Sequence, residues 1–415
     1  MAPRLLLAGL VLLVAAGCGG NGDATGDAAK PKLGKEAQEA LDELDANTRE
    51  PDAAADIDEL LGERARALEA ADVTALTATA TGRQEARDRV SARRAGRLSL
   101  QRVRLVADDL QTSGARAEAT VTMSYRVRGL RRPFYTQRKL TMRKRSVGWR
   151  VSRDVPRGPQ SLPWEVAPFE VTRAANVVLL TSPGVDAGPL RDGLARAYRE
   201  VRSDLPARDM PRSVLVIGAR DAAQTERLVG RIARGVIALA NVRVDFGPPP
   251  ALEVERVLEQ RMIVVDSRWS LLPPDERHSS LVHELTHTAL NPDTSGRTPP
   301  WLVEGVAMYV SGDDRAEEAR LRAAGAGPSM RLRQVCRPNS IFRLSGRDQG
   351  AAYAASSGAA AAIVARSGTK GLFRLYDAFN DSELDGRTCA ATTDRVMRRT
   401  IGMSLAELDA AVAGG

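Results

Sequence analysis

His283-Glu284-Leu285-Thr286-His287 sets two imidazoles four residues apart, with a carboxylate directly after the first. On a helix, positions four apart lie one turn apart on the same face, so both rings can reach one cation while Glu284 projects beside them. These residue types at this spacing suit a zinc ion, with Glu284 placed as general base toward an attacking water. The 415-residue chain has only three histidines, and at that scarcity a chance HExxH has a probability on the order of one in a thousand. His278, five residues before His283, faces elsewhere on the helix and is left out of the site.

A catalytic zinc takes three protein ligands and keeps one position open, so a third ligand is required. No histidine follows His287, and Thr288, Ala289, Leu290, Asn291, Pro292 and Asp293 exclude the HExxHxxGxxH arrangement of metzincins. The third ligand should therefore be a carboxylate. Glu304 lies one turn inside a segment, Trp301 to Val310, that Pro299-Pro300 opens as a second helix. A short connection lets that helix run back against the first and offer Glu304 to the histidines.

With HExxH followed by Trp301-Leu302-Val303-Glu304-Gly305-Val306-Ala307, the chain resembles the gluzincin metallopeptidases, in particular the peptidase MA-like families with W-x-x-E-G-x-A. The resemblance spans residues 170 to 385 in organisation, and HExxH and WLVEG are its specific motifs. It implies one Zn2+ held by His283, His287 and Glu304, a small mixed sheet above an active-site helix, and a mainly helical lower half. It also implies a phenol that stabilises a tetrahedral oxyanion. Tyr353, in a small-residue segment from Gly350 to Ala360, resembles that position, and Tyr309 on the ligand helix is the rival.

The elements that must position these residues are legible nearby. Pro273-Pro274 with Asp275 and Glu276 is a helix start with acids in its first turn, Leu281, Val282, Leu285 and Leu290 supply an apolar face, and Asn291-Pro292 is a stop. HExxH therefore sits in mid-helix. Upstream, Val177 to Thr181, Val214 to Ile217 and Met262 to Val265 read as short strands, separated by helical patterns at Pro189 to Arg202 and Asp221 to Ala238. Met262 to Asp266 is expected to be the edge strand against which an extended substrate lies. Beyond Pro273 the pattern is helical.

Before this region, Ile57, Leu60, Leu61, Ala65 and Leu68 recur at helical spacing, and a less regular stretch follows to Arg97. Leu98 to Leu110, Ala115 to Val127, Phe134 to Lys144 and Trp149 to Val155 then alternate as strands. Helix first and antiparallel strands after resemble an NTF2-like α+β domain. The expected fold is α+β with two domains, an NTF2-like one over 51–158 and a zincin-like metallopeptidase domain over 169–415, joined by a proline-rich linker from Pro156 to Pro168.

The ends and composition address the compartment. Arg4 precedes an apolar run, Leu5 to Ala16, that is too short to span a bilayer and suits a signal peptide over residues 1–17. Ala15-Ala16-Gly17-Cys18 resembles a bacterial lipobox, departing from it at Ala15 where leucine is preferred, and implies lipidation of Cys18. Residues 18–50 then read as a tether. The expected location is the outer face of the bacterial cytoplasmic membrane. Cys336 and Cys389 remain as an even pair in an oxidising compartment and should form a disulfide.

The formal net charge is +8, and residues 126 to 153 carry eleven Arg or Lys and no acid. That face is read as a solvated surface, with contact to anionic lipid or wall polymer as the sharper alternative. Nucleic acid is not expected, since aromatics for base stacking are only 4% of an exported chain. The expected function is zinc-dependent hydrolysis of peptide bonds in a peptide or protein substrate. The chain lacks the G-x-M-E-N run that aminopeptidase relatives use to hold a substrate's amino terminus, so the resemblance implies an endopeptidase slightly in preference to an aminopeptidase. The alternative is a catalytically silent lipoprotein of the same fold that binds a protein or cell-wall partner.

Overall fold

The computed structural model describes residues 35–414 except 159, 175, 206–207, 209, 211, 231–236, 246–256, 291–296, 313–329, 338–339, 345 and 380–387; side chains are described from Ala53 onward, apart from 241–245, 257–261 and 414. The signal peptide, Cys18, the first part of the tether and the Asn291-Pro292 stop lie outside the described residues. Asp52–Gly415 forms one compact unit, distinct from Met1–Pro51, and it is this unit whose packing is described. No helix among the described residues is long and apolar enough to cross a membrane.

The fold is mixed α+β with two sheets. Three helices come first, α1 (Lys35–Ala70), α2 (Val73–Ala78) and α3 (Arg83–Leu98). Asp72 caps α2 by accepting a hydrogen bond from the Ala75 amide. An antiparallel meander follows in chain order, β1 (Leu100–Ser113), β2 (Arg116–Val127), β3 (Phe134–Arg145) and β4 (Gly148–Pro156). Alternation puts Ala117, Ala119, Val121, Met123, Tyr125 and Val127 on one face of β2, all buried in a cluster with Ile57, Leu60, Leu61 and Leu98 of the helices. These strands lie within three residues of their expected ends.

Two expectations in this half are corrected. Arg138, counted with the basic strand surface, is only 2% exposed, because it shares the inward face of β3 with Leu140 and Met142. Its charge is held by Asp154, 2.5 Å from Nε, and by Glu165, 2.6 Å from a terminal nitrogen. Lys139 and Arg143 alternate outward and are exposed. The segment 156–168, read as a linker, is packed: it contains α4 (Pro163–Val166), and Trp164 is buried edge-on against Tyr125 with ring centroids 4.9 Å apart.

The second sheet has strand order β5 (Glu170–Ala174), β6 (Val177–Thr181), β7 (Val214–Gly218), β9 (Val257–Val265) and β8 (Ala238–Asp245). The three central strands are parallel and the two outer ones antiparallel to their neighbours. Both faces are covered, which is why β6 and β7 are buried at every residue. Val178, Leu180, Leu215, Ile217 and Val264 face the cluster that also holds the inward face of the first sheet. Val177, Leu179, Val214, Val216 and Ile263 face α5 (Ala187–Asp204) and α7 (Pro274–Leu290) on the other side.

The helical reading of Asp221 to Ala238 runs too far. Helix α6 (Ala222–Val229) ends at Gly230, whose φ of 85° lies outside the range of a side-chain-bearing helical residue, and Ala238 already belongs to β8. Met262 to Val265, expected at an edge, is interior, and the edges of the sheet are β5 and β8. After α7 come α8 (Pro300–Ser311), α9 (Gly346–Ala378, broken at Gly368), α10 (Cys389–Ile401) and α11 (Leu405–Gly414), which share a separate apolar cluster around Trp301, Leu302 and Tyr376. Cys336 and Cys389 are disulfide-bonded, with Cα atoms 6.0 Å apart, and tie the segment before α9 to the start of α10.

Candidate metal centre

Helix α7 is fixed by burial on both sides. Leu281, Val282, Leu285 and Ala289 enter the cluster beneath the second sheet, and Leu290 enters the helical one. That packing sets the rotation of the helix and leaves His283 and His287 half-buried on one face, their ring nitrogens Nε2 3.1 Å apart. His278 is turned to α5, where its Nε2 lies 2.5 Å from a Glu200 carboxylate oxygen, as its offset along the helix requires.

The third group arrives on α8. Pro299 caps this helix and Pro300 opens it, while Trp301 and Leu302 are fully buried and anchor its first turn. Gly305 then permits a close approach: a Cβ there would fall inside van der Waals contact of the Ser356 carbonyl on α9. The adjoining Glu304 carboxylate oxygen Oε2 lies 3.3 Å from Nε2 of His283 and 3.4 Å from Nε2 of His287.

The three atoms form a nearly equilateral triangle. A tetrahedral ion with bonds of about 2.0–2.1 Å has ligand-to-ligand edges of roughly 3.3–3.4 Å, which is the size of this triangle. Two nitrogens and one carboxylate oxygen also match the donor set of a three-ligand site that leaves a position open. The cluster can thus hold one metal ion, and its donors fit zinc. Burial opposes the charge on Glu304, yet the adjacent imidazoles and their hydrogen bonds outweigh it and hold the carboxyl well below its ordinary range. It is an anion, ready as a ligand.

Glu284 is buried beside this triangle, and loss of hydration is the main influence on it, pushing its carboxyl upward; Glu304 adds to that push and the two imidazoles oppose it. The Ala240 amide on β8 donates a hydrogen bond to it. This contact was not foreseen from the sequence, and no side-chain pattern could reveal it, since the donor is main chain. Thr288 on the same helix donates its hydroxyl to the Glu284 carbonyl, and Thr286 to that of Val282.

The two tyrosines differ in their surroundings. Tyr309 projects toward the break in α9, with its hydroxyl 2.9 Å from that of Thr369. Tyr353 lies on α9 one turn before Ser356 and packs half-buried against the helical cluster. No protein-family model matches the chain, and no curated protein matches it.

Proposed function

We propose that the chain is a zinc-dependent peptidase, exported and anchored to the outer face of the bacterial cytoplasmic membrane through a lipidated Cys18. The observation that carries this reading is the triangle of His283, His287 and Glu304 beside a separate buried carboxylate, Glu284. A structural zinc site has little use for a fourth, non-ligating acid at the cation, whereas a hydrolytic site requires one.

When bound, zinc supplies Lewis acidity toward water and toward a peptide carbonyl. The chain's own groups do the rest. Glu284, its charged form disfavoured by burial, takes a proton from the attacking water and passes it to the leaving amine, while the Ala240 amide fixes the orientation of the carboxylate. Tyr353 is assigned as donor to the developing oxyanion. The edge strand β8 carries Ala240 beside the base, so an extended peptide that pairs with this edge would present its main chain to the site. An endopeptidase fits an edge of this kind, which accepts main chain on both sides of the cut.

Purified full chain, loaded with one zinc, should cleave a peptide library. Glu284→Gln should keep the zinc and lose about a hundredfold or more of the rate. Cleavage by the variant at the parental rate, or none by the zinc-loaded parent, refutes the assignment.

A further inference from the structure

A cavity of about 500 Å³ lies away from the metal centre, between α1, α3, the inward face of the first sheet and the α4 segment. Its size falls within the range of small-molecule sites. Leu68, Leu76, Leu105, Met123, Leu162 and Trp164 supply the apolar part of its walls, beside Gln84, Ser91 and Ser161. At its deep end are Arg64 and Arg138, each 2% exposed, with Asp88, Asp154 and Glu165. The mouth is on the solvent side of α3, where Arg87 and Val90 are exposed, Val90 to 44%.

The deep charges are mutually saturated except at one atom. Arg138 is bound by Asp154 through Nε and by Glu165 through both terminal nitrogens. Arg64 donates to Asp88 and Thr79 at 2.7 and 2.8 Å, but its Nε is a buried donor without a hydrogen-bond partner. That nitrogen has no accessible surface, so a molecule in the chamber does not reach it. An anion at this depth would join three carboxylates facing two guanidiniums, so the charged end of a ligand belongs at the rim.

The rim has the opposite balance. Arg94 donates to the main-chain carbonyls of Trp164 and Glu165, and Arg227, from α6, to those of Glu165 and Val166. Among the described residues neither pairs with a carboxylate, so both guanidiniums remain able to take an anion at the rim of the cavity. We propose that this cavity binds a small amphiphilic organic anion, its charged end between Arg94 and Arg227 and its apolar body inside. This is a binding site independent of the hydrolytic reading.

Isothermal calorimetry on the full chain tests it, with octanoate, octan-1-ol and octylammonium as probes. Octanoate should bind once per chain, at least about tenfold more tightly than the other two. Arg94→Gln combined with Arg227→Gln should bring octanoate to the level of octanol. Val90→Trp, at an exposed position on α3, should block the mouth and weaken all binding. Octyl phosphate in place of octanoate separates a carboxylate from a phosphate ligand, and tight binding of either supports the proposal. It is overturned by absence of octanoate and octyl phosphate binding, by equal binding of acid and alcohol, or by unchanged affinities in both the arginine and the Val90→Trp variants.

Discussion

Nε2 of His283 and Oε2 of Glu304 lie 3.3 Å apart although they stand on different helices, α7 and α8. The two helices enter different apolar clusters along most of their length, so the distance is set by how those clusters meet, at Leu290 and the Trp301 turn.

Glu304→Gln should therefore report on the metal directly. The amide keeps the shape of the side chain and removes the negative charge that the two imidazoles stabilise. Zinc affinity should fall by at least about a hundredfold. Competition against a chromophoric chelator measures it, and undiminished affinity would reject Glu304 as a ligand.

Gly305→Ala tests how the ligand is delivered. The added methyl group meets the Ser356 carbonyl, so α8 must move away from α9 and take Glu304 with it. Overpacking of this kind costs about 1–3 kcal/mol, and zinc affinity should fall as well. Gly312→Ala at the other end of the same helix is the control. Its φ of 64° makes a side chain strained by about 1 kcal/mol, but the space is open. Zinc affinity there should be unchanged. Thermal unfolding with and without zinc separates the two variants, and equal zinc affinities in both would dismiss the role of Gly305.

What the sequence conveyed, and what it withheld, follows from where the information resides. His283, His287 and Glu304 were legible because ligand chemistry restricts residue type and helical spacing together. The four strands of the first sheet were legible because one face is buried and the other solvated, which writes an alternation into Ala117 to Val127. β8 is not legible because Ala238-Leu239-Ala240 has the composition of a helix. Sheet order is a property of pairing and not of any strand's own residues, so Met262 to Val265 was taken as an edge when it is interior. Arg138 was counted with the exposed basic face because its partners, Asp154 and Glu165, lie outside its strand.

The disulfide should stabilise the helical half without belonging to the site. Cys336 and Cys389 close a loop of 53 residues' separation, worth about 4 kcal/mol if its effect is on the entropy of the unfolded chain. Cys336→Ser with Cys389→Ser should lower the unfolding midpoint by several degrees while zinc stoichiometry stays at one per chain. An unfolding midpoint insensitive to both the double variant and to reductant would show that the bridge contributes nothing.

Arg138 makes the sharpest demand on the first half of the molecule. Burial by itself opposes its charge, but Asp154 and Glu165 outweigh this and keep the guanidinium ionised at any ordinary pH. Arg138→Met fits the apolar surroundings of Leu140 and Met142 yet leaves Asp154 with only Arg64, 3.6 Å away, and Glu165 with only the Leu162 amide, so it should cost about 3 kcal/mol. Adding Glu165→Gln relieves one of the stranded charges and should recover roughly 1 kcal/mol or more of that loss. Urea unfolding of the parent, both single variants and the double variant measures the coupling. If the double variant is less stable than Arg138→Met alone, Arg138 acts through packing, and the ion pair with Glu165 is incidental.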